Sequence, residues 1–197
     1  MEHRSGERII GEDWALDELT GVQFEGCEFS DVDLSEAVLV GCGFTECRFG
    51  NVKFNAAELT RCALLRCSVR RCSFFDARLT DCKLTGTQFE ECELLPLHVD
   101  GGDWSFVALR GQNLTGVSLA RLRLREADLT EANLSRADLT GADLGSARLH
   151  HTTLRDADLR GADLTGVALR GVDLTGVRLD LAQAALVAQA YGARVEP

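Results

Sequence analysis

The sequence predicts an all-β solenoid, a coil of short extended segments joined by tight corners, and three observations carry that expectation. An apolar residue falls at every fifth position thirty-three consecutive times, from Leu19 to Leu179, without an insertion. The position two residues before it is small, and the position two residues after it is rich in glycine. The alternatives fail on geometry. On an α-helix a five-residue step turns by about 140°, which would scatter the apolar residues around the circumference. On a flat strand an odd step alternates faces and would expel half of them into water. A repeated extended segment and corner buries every one.

Each position of the repeat has its own reason. The central residue is Leu or Phe except at Val69, Val99 and Trp104. Position −2 is Ala127, Ala132, Ala137, Ala142 and so on in one stretch, with Val and Cys elsewhere. In an extended segment residues two apart point the same way, so −2 faces inward with the central residue and −1 faces out. Position −1 is accordingly polar, as in Asn133 and Asp138. Position +2 holds twelve of the nineteen glycines, which tolerate the dihedral angles a corner demands.

Along the chain the pattern has two halves, a joint and a tail. Seven Phe and all eight Cys precede the joint, whereas all fifteen central residues from Leu109 to Leu179 are Leu. The segment 94–106 breaks the small-residue rule at Leu97 and Gly102 and carries Pro96, so a kink or bulge is expected there and not a domain boundary. Residues 1–16 are expected to form a polar N-terminal cap anchored by Ile9, Ile10 and Trp14, and residues 17–181 the coil. In the tail, 182–197, Asp180 suits a helix N-cap and Gly192 a helix stop. An open solenoid end needs covering. Leu181, Leu186, Val187 and Tyr191 offer more apolar surface than one short helix hides, and are the expected dimer contacts.

Little is left for chemistry. The eight cysteines all sit at −2 and there is no C-x-x-C pair, so they read as small packing residues and not as metal ligands or disulfides. The four histidines have no partner at a motif spacing, and no phosphate loop or nucleophile motif occurs. No enzyme, cofactor or metal is expected. The chain lacks a long apolar run and a signal-peptide pattern, so the expectation is a cytoplasmic protein without membrane contact. A net charge of −10 opposes direct nucleic-acid binding and suits a partner with a basic surface.

The segments A-D-L-T-G at 137–141, A-D-L-R-G at 157–161 and A-D-L-T-G at 162–166 resemble the pentapeptide-repeat family, and the resemblance covers 17–181. It implies a right-handed quadrilateral β-helix with four pentapeptides per coil, about eight coils in a rod of roughly 40 Å, ending in a short C-terminal α-helix. At this coil length Phe24 stacks on Phe44, Phe29 on Phe49 and Phe54 on Phe74. The uninterrupted coil, the break C-E-L-L-P-L at 92–97 and the helical tail resemble the MfpA-type fluoroquinolone-resistance proteins, which are similar to Qnr proteins without their loops. That resemblance implies a non-enzymatic, homodimeric DNA mimic. Its partner would be DNA gyrase, and topoisomerase IV is a second candidate; it would inhibit the enzyme or protect it from quinolone-type drugs or toxins. Candidate gyrase-facing acids are Asp128, Asp138, Asp143, Asp156, Asp158, Asp163 and Asp173. One side of the rod is the most acidic, with Asp33, Glu36, Asp76, Glu93, Asp156 and Asp173 against Lys53, Arg136 and Arg155. The alternative is a rigid structural or interaction scaffold without gyrase activity.

Overall fold

The computed structural model describes residues 2–196, and in it the repeat forms a four-sided parallel β-solenoid. Among the described residues the order begins β1 His3–Ser5, β2 Arg8–Ile10, β3 Glu18–Thr20, β4 Gln23–Glu25, β5 Glu28–Ser30, β6 Val38–Val40 and β7 Gly43–Thr45. It continues β8 Arg48–Gly50, β9 Glu58–Thr60, β10 Ala63–Leu65, β11 Ser68–Arg70, β12 Ala77–Thr80, β13 Gln88–Glu90, β14 Leu97–Asp100 and α1 Leu181–Ala190. The first side is the sheet β1-β4-β7-β10, the second β2-β5-β8-β11-β13 and the fourth β3-β6-β9-β12-β14. The third side is a ladder of single bridges, Asp13↔Asp33, Asp33↔Lys53 and Lys53↔Ser73. Partners such as Phe24↔Phe44 and Leu39↔Leu59 stand 20 residues apart. Beyond Asp100 the same register runs on as bridges, among them Asp103↔Arg123, Asp128↔Arg148, Asn133↔Thr153 and Asp138↔Asp158.

Residues 3–16 are not a separate cap. β1 and β2 pair with β4 and β5, so they are the first coil of the ladder. Arg4 occupies a central position there, 5.5 Å above the Phe24 ring and 5.8 Å from that of Trp14, and is bonded to Glu7. Inward-pointing charges at a sheet edge discourage further strand pairing.

The core is one continuous column of central and −2 side chains. The expected ring stacks are present, at 5.0 Å for Phe24–Phe44, 4.8 Å for Phe29–Phe49 and 4.6 Å for Phe54–Phe74. All eight cysteines are free thiols; seven are buried and Cys92 is half-buried. Every +2 residue from Gly6 to Gly176 except Pro96 has positive φ, and twenty of these residues are not glycine. Glycine is therefore favoured at the corners without being required. Proline, whose ring fixes φ near −65°, cannot take that conformation, and the Leu95–Pro96 peptide is cis.

The corners close in two ways. On the third side of the N-terminal half, and at nearly every corner from Leu84 onward, the carbonyl of the central residue accepts the N–H three residues on. Examples are Ala37 to Leu34, Ala57 to Phe54, Ala127 to Leu124 and Ala142 to Leu139. With φ positive at the third residue these are type II turns. The strand corners of the N-terminal half lack that bond. At several of them the carbonyl also accepts an inward −2 side chain from the coil beyond: Cys42 Sγ to Leu19, Cys62 to Leu39 and Cys82 to Leu59 at 3.2–3.3 Å, and Thr87 Oγ1 to Leu64 at 2.7 Å.

The joint interrupts the ladder on two sides only. Phe89 and Trp104 still donate to Ala108 and Arg123, whereas the N–H groups of Leu94, Val99, Asn113 and Ser118 have no partner among the described residues. A groove lined by Leu95, Pro96, Val99 and Val117 follows this gap. Gly102 has φ 110°, and a Cβ there would lie 2.2 Å from the Cys82 carbonyl oxygen, so backbone fills the space that a small side chain takes elsewhere.

At the far end α1 seals the last coil. Asp180 and Gln183 form a capping box, and Asp180 also accepts the Gly161 N–H. The Gln183 side chain is buried and donates to the carbonyls of Leu159 and Ala162. Gly192, with φ 89°, ends the helix, its N–H bonded to Gln189 O and that of Ala193 to Ala188 O. This pair of bonds is a Schellman motif.

Candidate interaction surface

Asp and Asn at −1 are not simply solvent-facing charges. Their Oδ1 accepts the N–H of +1 at Asp33, Asp103, Asn113, Asp128, Asn133, Asp138, Asp143, Asp158, Asp163 and Asp173, at 2.9–3.2 Å. An Asx turn of this kind braces the corner. Half of each carboxylate is thus committed to the fold.

The seven candidate acids do not form one stripe. Asp138 and Asp158 lie on the fourth side and Asp143 and Asp163 on the first, so these four flank the corner of Gly141 and Gly161. Asp156 sits at the corner leading onto the fourth side, over Gly176, and borders this group. Asp128 is on the second side and Asp173 on the third, away from it. Cations answer most of them. Arg160 lies 2.7 Å and Arg178 3.3 Å from Asp158, Arg125 bridges Asp143 and Asp163 at 3.3 and 3.9 Å, and Arg110 and Arg148 flank Asp128 at 3.5 Å. Asp138 and Asp156 have no cation within ion-pair distance among the described residues. On the most acidic side Lys53 offsets Asp33, and His98 Nε2 lies 2.7 Å from Asp76 Oδ1.

Proton affinities follow these contacts. Hydrogen bonding from Arg160, with Arg178 nearby, holds the Asp158 carboxyl down at about 2. Thr165 lowers Asp163 and Thr175 lowers Asp173. At Asp128 partial burial acts upward, but Thr130, Arg110 and Arg148 outweigh it and the net shift is down. All of these are structural ionisations. No group of three or more His, Cys, Asp or Glu among the described residues is arranged to hold a metal.

The four candidate dimer contacts divide. Leu181 is 91% exposed and Leu186 and Tyr191 are exposed. Val187 packs on the end of the core beside Leu174, Val177 and Leu179, so it serves the chain's own cap. The Tyr191 hydroxyl accepts the Gly171 N–H at 3.4 Å, tying the helix end to the coil. Sequence reasoning missed the Asx role of −1 and the Gln183 anchor. Asp two residues before Thr or Ser, recurring every five residues, was the available signal for the first.

A four-sided solenoid with Asx-braced corners is the class this geometry defines. The chain belongs to the pentapeptide-repeat family: residues 17–94 match the pentapeptide repeat region, and 109–145 and 142–180 match the eight-copy pentapeptide repeats. No curated protein matches the sequence significantly. Among solved structures, the trypsin-treated form of QnrB1, a plasmid-mediated fluoroquinolone resistance protein, is 24% identical, with TM-score 0.87 over 100% of this chain and 99% of that one. Full-length QnrB1 is 23% identical, with TM-score 0.81 over 97% of this chain and 100% of that one. HetL, a pentapeptide repeat protein involved in heterocyst differentiation regulation from the cyanobacterium Nostoc sp. strain PCC 7120, is 20% identical, with TM-score 0.51 over 90% of this chain and 88% of that one. These likenesses establish the fold. No helix among the described residues is long and apolar enough to cross a membrane.

Proposed function

We propose that the protein is a non-enzymatic DNA mimic that binds DNA gyrase and counters quinolone-type drugs or gyrase toxins. The observation that carries this reading is the end-to-end likeness to QnrB1, a fluoroquinolone resistance protein, with nearly the whole of both chains superposed. The net charge of −10, and Asp138, Asp143, Asp158 and Asp163 flanking one corner with Asp156 at the next, support it. Such carboxylates would meet basic groups that otherwise hold DNA phosphates. The exposed Leu181 and Leu186 support a homodimer through the C-terminal end.

The test must separate charge from fold. Replacing Asp138, Asp143, Asp158 and Asp163 together by Asn keeps an acceptor for each corner N–H and removes four charges. The expected result is an unchanged fold, weaker gyrase capture and weaker inhibition of supercoiling, with binding by the parent falling steeply in salt. A folded Asn variant that inhibits as well as the parent would rule out these acids. The scaffold reading has its own support in the arginines that neutralise Asp128, Asp143 and Asp158. It takes over if the parent does not retain gyrase at all.

A further inference from the structure

On the second side, near the C-terminal end, the ladder opens again. One coil earlier Leu129 N–H donates to Arg148 O and Glu131 N–H to His150 O. The equivalent donors of the next coil, Leu149 N–H and His151 N–H, have no partner among the described residues, and neither has Ala168 N–H. Leu149 is buried, and a buried backbone donor left unpaired is uncommon. The gap is a cleft lined by Thr130, Ser146, Arg148, His150, His151 and Arg170, with Gly166, Ala168 and Gly171 leaving it open. Thr130 is 7% exposed at the cleft wall. The His150 and His151 rings are 3.8 Å apart.

We propose that this cleft binds a tetrahedral oxyanion of the phosphate class. Its polar side chains are those of Arg148, Arg170, His150, His151, Ser146 and Thr130, and its three unpaired N–H groups add neutral donors. An oxyanion with several acceptor oxygens satisfies such a set at once, and guanidinium and imidazolium donors make the strongest such bonds. The patch is basic in a chain of net charge −10. The opposing groups are Asp128, already 3.5 Å from Arg148, and Glu131, one coil above His151 at the same corner. Gly171, on the rim, is tied by its N–H to the Tyr191 hydroxyl of the helix end. The gyrase reading neither requires nor supplies this site.

Inorganic phosphate titrated at constant pH and ionic strength tests the assignment. Saturable amide shifts are expected at Leu149, His151 and Ala168. The pair His150→Ala with His151→Ala, and separately Arg170→Ala, should each weaken binding about tenfold or more. Arg66→Ala, on the distant half, should not. Adenosine monophosphate in a parallel titration distinguishes the source: binding at least as tight as inorganic phosphate assigns a nucleotide phosphoryl group, weaker binding a free ion. No saturable shift, the same shifts with chloride, or an undiminished response in both cleft variants would overturn the site.

Discussion

The two halves of the rod share one register and build their walls differently. Before the joint, three of four sides are true strands around a core of stacked Phe and Cys; after it, every side is a chain of single bridges between hydrogen-bonded turns around Leu and Ala. The difference lies in how one carbonyl is satisfied. Where the corner closes as a turn, the central carbonyl takes the N–H three residues on and −2 can be alanine. Where it does not, the carbonyl lies within a strand pair such as Leu39↔Leu59, and at several corners a Cys or Thr at −2 of the next coil bonds it as well. Alanine appears at −2 in the first half at Ala37, Ala57 and Ala77, the residues whose N–H closes the turns of the third side. The cysteines are small packing residues, as the spacing suggested, but also weak donors with a carbonyl to serve.

The largest effect should come from violating what both halves share. Leu139 is fully buried, and Leu139→Asp places an unpaired carboxylate among apolar side chains, so no folded protein is expected by circular dichroism. Asp138→Ala, one residue away, loses only the brace on the Thr140 N–H and should cost about 1 kcal/mol. Equal losses of thermal stability would mean the inward register is wrong.

At the joint, Gly102→Ala drives a Cβ to within 2.2 Å of a backbone oxygen at φ 110°. The expected cost is about 2–4 kcal/mol by denaturant unfolding. A loss below about 1 kcal/mol would mean that the coils separate freely here, since a backbone atom normally cannot step aside.

Donor and turn chemistry separate the halves directly. Cys62→Ala removes the thiol bonded to Leu39 O and leaves a small void beside a carbonyl still held in the strand ladder, and should cost about 1–2 kcal/mol. Cys62→Ser, which keeps a donor, should cost less. Ala142, by contrast, closes a turn with its own N–H. If Cys62→Ser proves no better than Cys62→Ala, the thiols are filler and the carbonyl account fails.

Acid should discriminate between the halves as well. Carboxyls held below their ordinary range lie mostly after the joint, at Asp103, Asp128, Asp158, Asp163, Asp173 and Asp180, against Asp33 before it. A depressed folded-state value stabilises above the unfolded value of about 3.9, and that contribution vanishes as pH falls through the folded value, near 2 for Asp158. Hydrogen exchange between pH 5 and pH 2 should therefore rise first after Asp103. Uniform loosening would assign the braces no special role.

The coil, its register, the ring stacks and the helix ends were legible because a five-residue period leaves few solutions and Asp180 and Gly192 are local signals. The first coil was hidden because Arg4 occupies a central position, and an inward charge looks like the end of the pattern. The division of corners was visible only as a 20-residue recurrence of alanine inside the five-residue one. The acidic surface was the least legible part. Sequence supplies the charges, whereas the pairing of Asp158 with Arg178 or Asp143 with Arg125 depends on what lies one coil away.

The smallest effect concerns a feature that should not differ between the halves. Arg61 and Arg136 sit at +2 with φ 50° and 59°, one in the strand half and one in the turn half, and both are exposed. A left-handed conformation costs a non-glycine residue about 1 kcal/mol or more. Glycine removes that strain but gives the unfolded chain more freedom, an opposing cost of about 0.5–1 kcal/mol. Arg61→Gly and Arg136→Gly should therefore each change stability by no more than about 0.5 kcal/mol, and by the same amount. Thermal unfolding of the two variants side by side checks this. A clear gain in one half alone would mean that the strand corners and the turn corners carry unequal backbone strain, and that the halves differ in more than the partner of one carbonyl.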